Sequence, residues 1–318
     1  MPEARAPRKL AGLTRRQFAL ACLAAGGALA YPRRAAADAV YNVGDIELTA
    51  ISDGNIDLDP AVFQQFKPER LDALMREIGG GGPPLKTSVN AYLARAGGKT
   101  ILIDCGSGPT LGKELGKISG GLAAIGTSPE DIDVLVLTHL HPDHAGGAMT
   151  ADGSALFPKA QLFVASKEVQ YWQDEANLAR SAEAVKFFFK IARGTLAAYR
   201  GRITEYGAAE EILPGFETLA LPGHTPGHSG IFVRSGASEI LVWGDIVNSP
   251  PIQFAHPDWT LMPYDVDGGQ AAATRARMFD MAWSTSLTVA GMHLPFPGIG
   301  SVAREKGRYR FLADDAVP

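Results

Sequence analysis

The stretch His139-Leu140-His141-Pro142-Asp143-His144 places three histidines and a carboxylate within six residues. It follows Val134–Thr138, which has the length and apolar composition of a short buried strand, and it precedes Gly146-Gly147. In an extended loop His139 and His141 can face one point, whereas Asp143 and His144 can face a second point nearby. Imidazole and carboxylate groups together suit zinc and other first-row divalent metals. The stretch therefore predicts a metal site at the end of a strand.

Three later stretches offer further ligands, each just after a short apolar segment and beside a glycine. His224 and His228 lie in Gly223-His224-Thr225-Pro226-Gly227-His228, Asp245 follows Gly244, and His293 follows Gly291-Met292. Loops anchored on a rigid sheet are where functional groups gather. His228 is predicted to support the His224 loop by hydrogen bonding rather than to bind metal. These stretches supply enough ligands for two metal positions.

The rest of the sequence predicts strands interleaved with helices, which is typical of a layered α/β domain. Strands are predicted over 41–52 with a turn at Asp53-Gly54, and over 88–94, 100–104, 133–138, 160–165, 203–206, 216–221, 230–235, 239–244, 286–291 and 308–312. Helices are predicted over 109–125, 166–200 and 268–283, and residues 55–84 are predicted to form a flexible loop that covers a pocket.

The four stretches that carry the candidate ligands, the first at His139–His144 and the later ones at His224, Asp245 and His293, occur in an order that resembles that of the metallo-β-lactamase-fold hydrolases. The resemblance extends over residues 41–313. It implies an αββα sandwich, an α/β fold with two packed mixed sheets, helices on the outer faces and two divalent metal ions at one sheet edge. It implies a first metal on His139, His141 and His224, a second on Asp143, His144 and His293, and a bridging Asp245. Asp143 and Asp245 are the expected catalytic residues. Zn²⁺ is the expected metal, with Mn, Fe or Co as alternatives, and no organic cofactor is expected.

Softer features are similar to the methyl parathion hydrolase branch and its relatives, which include quorum-quenching acyl-homoserine lactonases. They are Ile51–Gly54, Thr87–Leu93, Phe296–Gly300 and Tyr309–Phe311. The branch implies a dinuclear hydrolase that cleaves small esters, lactones or organophosphate triesters with a hydroxide shared by the metals. An acyl-homoserine lactonase is the alternative. A mononuclear-iron oxidoreductase resembling persulfide dioxygenases is the alternative from another class, and the complete second ligand group argues against it.

Several other residues are assigned on weaker grounds. Trp172, Phe188 and Phe254 are predicted to line an apolar pocket for an aryl or acyl group, although core packing explains each of them equally well. Asp104 is expected to orient a metal ligand. Cys105 is expected to be a small buried side chain, and His256 a loop residue outside the site.

The first 37 residues have the pattern of a targeting segment. Arg15-Arg16-Gln17-Phe18 precedes the apolar run Ala19–Ala30, and Ala35-Ala36-Ala37 provides a cleavage site before Asp38. The pattern resembles a twin-arginine signal, which directs export of folded proteins in bacteria. The sequence thus predicts a signal peptide over 1–37, a hydrolase domain over 38–318, and a periplasmic or secreted protein with no stable membrane anchor after cleavage.

Composition limits the classes of partner. Of 318 residues 46% are hydrophobic and 20% are charged, which is ordinary for a globular protein. The predicted signal carries seven basic residues and one acidic residue, so the remainder keeps 23 basic and 33 acidic residues and a net charge of −10. Such a surface argues against nucleic acid as a partner and thus against a nuclease. The expected partner is a small-molecule substrate, and a homodimer is left open.

Overall fold

Two mixed β-sheets form the centre of the computed structural model, which describes residues 39–79 and 82–314. The first sheet has the order β1-β2-β3-β4-β5-β6-β7. Its strands are β1 Val40–Val43, β2 Ile46–Leu58, β3 Leu85–Ala96, β4 Lys99–Ile103, β5 Val134–Val136, β6 Gln161–Ala165 and β7 Ile203–Tyr206. The predicted signal peptide lies outside the described residues.

The second sheet has the order β14-β13-β12-β11-β10-β9-β8. Its strands are β8 Glu211–Leu213, β9 Phe216–Ala220, β10 Ser229–Ser235, β11 Ser238–Val242, β12 Val289–Ala290, β13 Ile299–Glu305 and β14 Arg308–Ala313. In the first sheet the pairs β4–β5, β5–β6 and β6–β7 are parallel, and in the second sheet the pair β11–β12 is parallel. The other pairs are antiparallel.

The helices lie in the connections between strands. They are α1 Leu71–Glu77, α2 Ile118–Ala124, α3 Pro142–Ala145, α4 Ser166–Gln173, α5 Glu175–Arg180, α6 Lys186–Ala198, α7 Pro250–Gln253 and α8 Gly268–Thr285. Short 3-10 turns occur at Pro60–Val62, Pro68–Arg70, Pro129–Asp131, Gly146–Ala148, Glu183–Val185 and Gly244–Ile246. Asp267 caps α8 by accepting a hydrogen bond from the backbone N–H of Gln270, and the helix ends where Ser286 takes a left-handed conformation.

Burial of both faces explains why β5 is apolar at every position. Val134 and Val136 belong to the core between the two sheets, whereas Leu135 belongs to the core between the first sheet and its helices. On the outer face of the second sheet, Leu241 of β11 and Phe279 of α8 belong to a third core. Helices thus cover the outer face of each sheet, and the predicted αββα sandwich is confirmed.

Several predicted boundaries were wrong. Asp53-Gly54 is not a turn, because β2 continues to Leu58 with a bulge between Ser52 and Gly54. The helix predicted over 109–125 is confined to Ile118–Ala124, since Gly112 and Gly116 adopt positive φ and interrupt it.

Two further predictions needed adjustment. The helix predicted over 166–200 is divided into α4, α5 and α6. The supposed loop over 55–84 contains the end of β2 and helix α1, and the glycines at 80 and 81 lie outside the described residues. Within the described ranges, no helix combines the length and the apolar character needed to cross a bilayer.

Candidate metal centre

The seven predicted metal ligands converge at the edge where strand ends of both sheets meet. Three of them follow strands of the second sheet, and the motif after β5 supplies the other four. One group comprises His139, His141, His224 and Asp245, and the other comprises Asp143, His144 and His293. Within each group the ligand atoms all lie within 4.8 Å of one another. The structure therefore brings together every ligand named from the sequence.

Asp245 lies between the two groups. Its Oδ2 is 3.2 Å from Nε2 of His224, in the first group, and 3.1 Å from Nε2 of His293, in the second. Its Oδ1 is 3.2 Å from Nε2 of His144, also in the second group. A single carboxylate thus contacts histidines of both groups, which is the geometry that a bridging ligand needs.

Partners on the Nδ1 side fix how the histidine rings point. His144 Nδ1 is 2.7 Å from Asp104 Oδ2, and His293 Nδ1 is 2.7 Å from the backbone oxygen of Ser88. His224 Nδ1 is 2.7 Å from Asp265 Oδ1. A hydrogen bond at Nδ1 leaves Nε2 free to act as a ligand and sets its direction.

Several of the ligand atoms form no regular hydrogen bond within the protein, although they lie close to one another. Nε2 of His139, His144 and His224 and Oδ1 of Asp245 are buried and accept or donate no hydrogen bond among the described residues. Leaving a buried polar atom unpaired costs about 1–3 kcal/mol, so several together at one point call for a group that satisfies them. Nitrogen and carboxylate donors at this spacing fit divalent cations such as zinc.

Two of the histidines are held neutral by their surroundings. Burial lowers the pKa of His139 and His141 well below the ordinary value, and the charges of neighbouring imidazoles lower it further. Metal ligation requires the unprotonated ring, so both side chains are already in the ligating form.

The histidines nearest the carboxylates behave differently. Burial opposes the charged form of His224, but the carboxylates of Asp245, at 3.2 Å, and Asp265, at 2.7 Å, outweigh it and raise the pKa to about 9. Burial likewise opposes the charged form of His144, and the charge of Asp245 contributes most to raising its pKa well above the ordinary value. In the metal-free protein these rings carry protons that a metal ion would displace.

His228 supports the site, as predicted from the sequence. Its Nδ1 donates to the backbone oxygen of Leu221 at 2.8 Å, and its Nε2 accepts from the backbone N–H of Asp245 at 2.9 Å. Burial lowers its pKa to about 4, which keeps the ring neutral and able to accept. A Cβ at Gly244 would lie 2.3 Å from this Nε2, so only glycine permits the contact.

A cavity of about 370 Å³ opens onto the ligands. Phe188 lines it, as predicted, together with Leu58, Leu111 and Tyr264. Among the described residues that line it no Lys or Arg occurs, and Asp57 and Asp59 are the acidic residues besides the ligands. Apart from the metal ligands, the cavity is therefore lined mainly by apolar side chains, and among the described residues no Arg or Lys is present to bind an anionic group.

The other two predicted pocket aromatics lie elsewhere. Trp172 is buried against Phe189 and His141, its Nε1 donates to Glu168 at 2.7 Å, and it lines a neighbouring cavity of about 390 Å³. The assignment of Phe254 is corrected, because its ring stacks on Phe279 at 4.6 Å in the core beneath α8. Both rings bury apolar surface, and the sequence could not separate that role from a pocket role.

Asp265, Asn248 and Glu168 belong to the site although the sequence did not single them out. Asp265 accepts from His224, and Asn248 Nδ2 donates to Asp245 Oδ2 at 2.7 Å. Asp104, which was expected to orient a ligand, also accepts from the backbone N–H of Thr138 at 2.8 Å. Asp265, Asn248 and Asp104 each hold a ligand by a hydrogen bond, whereas Glu168 accepts from the backbone of Leu140 and Gly227, in the loops that carry His139, His141 and His224.

Asp265→Ala is expected to lower metal affinity by about 10–100-fold, because His224 loses the partner that orients its ring. Competition with a chromophoric chelator measures the change. Asp267→Ala is the matched control, since it removes the α8 cap two residues away without touching a histidine. Equal affinity in wild type and Asp265→Ala would exclude an orienting role for Asp265.

Comparisons with known proteins show the family and the fold of this chain. Residues 85–283 match the family described as the metallo-beta-lactamase superfamily. A solved structure titled as the hydrolase AbOPH in the beta lactamase superfamily is 31% identical with a TM-score of 0.81, covering 89% of this chain and 99% of that one. The dizinc quorum-quenching lactonase AidC is 24% identical with a TM-score of 0.81, covering 88% of this chain and 98% of that one, which shows the shared fold.

Curated sequences match over a shorter range. An N-acyl homoserine lactonase of a Bacillus species is 28% identical over 117 residues, which is 37% of this chain and 39% of that protein. A second, from Bacillus cereus, is 26% identical over 121 residues, or 38% of this chain and 40% of that protein. The chain thus spans about two fifths of the length of these relatives. With the family match covering more than half of its length, this chain belongs to the metallo-beta-lactamase superfamily.

Proposed function

We propose that this protein is a metal-dependent hydrolase that cleaves small uncharged esters, lactones or phosphotriesters with two divalent metal ions. The observation that carries the proposal is the convergence of two ligand groups on Asp245, with the Nε2 atoms of His139, His144 and His224 buried and unpaired. Zinc is the metal that we propose, because imidazole and carboxylate ligands suit it.

The metal pair, when bound, supplies a nucleophilic water of lowered pKa and a Lewis acid for the oxygen of the bond being cleaved. The residues of the chain hold that chemistry in place. Asp245 joins the two groups, and Asp104 and Asp265 fix the rings of His144 and His224. Asp143 and Asp245 both line the cavity, and the side chain of Asp143 is the more exposed of the two, so Asp143 would be the better placed to pass a proton to a leaving group.

The charge of the cavity argues for the class of substrate. Anionic substrates are ordinarily held by Arg or Lys, and no such side chain is among the described residues that line the cavity. Esters, lactones and phosphotriesters are uncharged and offer an electrophilic carbon or phosphorus. The lactonase names of the curated relatives and the hydrolase name of the structural relative support this class.

We also propose that the protein is exported through the twin-arginine pathway and acts in the periplasm or outside the cell, as a monomer or a homodimer. Residues 1–37 alone support export, through Arg15-Arg16-Gln17-Phe18 and the apolar run that follows.

Elemental analysis of the purified protein, together with hydrolysis assays, tests the proposed function. We expect about two equivalents of zinc and chelator-sensitive turnover of at least one among methyl paraoxon, phenyl acetate and an N-acyl homoserine lactone. The relative rates then separate the lactonase from the phosphotriesterase.

Methyl 4-nitrophenyl phosphate is the matched control for substrate charge, since it carries the same leaving group and one negative charge. Once the rates are divided by those of the two compounds with free hydroxide, it should still react at least about tenfold more slowly than the triester, which corresponds to about 1.4 kcal/mol. About one equivalent of iron and no hydrolysis would overturn the proposal in favour of an iron-dependent thiol oxidoreductase.

A further inference from the structure

Glu168 is a completely buried carboxylate next to the metal centre. It lies in α4, directly after β6. Its Oε2 accepts from the backbone N–H of Leu140 at 3.0 Å and from Trp172 Nε1 at 2.7 Å. Its Oε1 accepts from the backbone N–H of Gly227 at 2.8 Å. Both oxygens are therefore occupied by donors from three separate segments.

Two of these donors belong to the loops that carry the first ligand group. Leu140 lies between His139 and His141, and Gly227 lies three residues after His224. The first loop follows a strand of one sheet, and the second follows a strand of the other. One carboxylate thus ties together the two loops whose histidines must reach the same point.

The contact is tight on the side of the second loop. A Cβ added at Gly227 would lie 2.6 Å from the backbone nitrogen of Glu168. Close approach of this kind is one of the uses of glycine, and it sets the distance between the loop and α4. The contact between Gly227 and the backbone of Glu168 therefore limits the position of the His224 loop.

The charge of Glu168 lacks a partner in the protein. The three donors are uncharged, and no ion pair to this carboxylate occurs among the described residues. Burial raises its pKa, and the hydrogen bonds oppose that rise. A buried charge without a counter-ion is costly, and the adjacent site binds cations if the proposed function holds.

We propose that Glu168 is a positioning residue for the first ligand group, where it holds the two histidine loops at ligating distance and adds negative charge beside the cation. The inference rests on the proposed function, because it needs a metal in that group. It assigns no contact between Glu168 and substrate, so its effect is on metal binding first and on turnover only as a consequence.

Glu168→Gln tests the inference in the full-length protein. The amide keeps the size of the side chain but removes the charge and replaces one acceptor with a donor that faces an N–H group. We expect zinc affinity at the first group to fall by about 10–100-fold, as for other residues that orient ligands, and affinity at the second group to stay unchanged. Chelator competition and the visible absorption of the cobalt-substituted protein measure metal binding at the first and at the second ligand group.

Asp53→Asn is the matched control. Asp53 is also completely buried, and it accepts from the backbone N–H groups of Ser107, Lys117 and Ile118. Its loss should lower the melting temperature of the metal-free protein to a similar degree, because it breaks a comparable set of hydrogen bonds. It should leave the cobalt absorption of the first group as in wild type, which separates positioning from general stability.

Gly227→Ala gives a second route should Glu168→Gln fail to fold. The added methyl group pushes the His224 loop away from α4 without changing any charge, and it should weaken the first group in the same way. The inference would be overturned if folded Glu168→Gln kept the zinc affinity and cobalt absorption of wild type. If the glutamine variant does not fold, the same result in folded Gly227→Ala would overturn it. Either result would leave the proposed function intact. A wild-type protein that binds no metal would overturn both.

Discussion

Asp245→Ala should lower kcat/KM by about 10³-fold or more, which corresponds to a loss of about 4 kcal/mol in transition-state stabilisation. The reason is positional, because the carboxylate lies within 3.2 Å of Nε2 of His144, His224 and His293. Alanine leaves these imidazoles without the group that joins them. Both metal positions should weaken together, so metal content should fall along with activity.

Asp143→Ala separates this expectation from a general effect of removing a carboxylate. Its Oδ2 lies 3.6 Å from His144 Nε2 and 3.4 Å from His293 Nε2, and both histidines belong to the second group. This variant should keep about one of two metal ions, whereas Asp245→Ala should lose more. Asp280→Ala, at an exposed position, is the control for the assay. Full activity with both metals in Asp245→Ala would contradict the bridging role.

The metal ligands could be predicted from the sequence because they form local patterns. Three histidines and an aspartate fall within six residues, and each remaining ligand follows a short apolar strand beside a glycine. The same local logic predicted a layered α/β domain, since a run such as Val134–Val136 is apolar at successive positions when both faces of its strand are buried, and the family resemblance implied the αββα arrangement.

The residues that hold the ligands could not be predicted in this way. Asp265 lies 41 residues from its partner His224, and Glu168 lies 59 residues from Gly227. Neither residue forms a short motif with its partner. In the sequence, therefore, each looks the same as an acidic residue on a loop or helix that has no role in the site. Their role follows from tertiary contacts, which only the folded chain brings together.

Errors in the secondary structure have a similar origin. Gly54 marks a bulge within β2 rather than a turn, and the buried carboxylate of Asp53 beside it accepts hydrogen bonds from residues more than 50 positions away. Asp-Gly most often signals a hairpin, but here a long-range contact fixes the backbone. Local propensity therefore predicted the wrong element at a point where distant residues determine the conformation.

Removal of the metal ions is expected to abolish turnover and to lower the melting temperature by about 10–20 °C at neutral pH. A ligand that binds only the folded state adds about 2.7 kcal/mol when its free concentration is about 100 times Kd. Two sites double that gain, and each kcal/mol raises the melting temperature of a domain of about this size by about 2–4 °C. Thermal unfolding with chelator and with added zinc measures the difference.

The stabilisation by metal should grow as pH rises from about 6.5 to about 9. In the metal-free protein the pKa of His224 is raised to about 9, so over this range the ring holds a proton that metal must displace. The same raised pKa stabilises the metal-free fold fully below the unfolded value of about 6.5, and this contribution is lost as pH rises through about 9. Both effects come from the same proton, and its loss from the metal-free protein enlarges the difference between the two forms as pH rises.

Asp245→Ala provides the internal control for this measurement. It keeps the Asp265 partner of His224 but lacks the carboxylate that joins the groups, so zinc should shift its melting temperature little at any pH. A metal-induced shift in wild type that is independent of pH would show that metal displaces no proton from His224. A shift of wild-type size in Asp245→Ala would show that each ligand group holds its metal alone, and the centre would then comprise two separate sites.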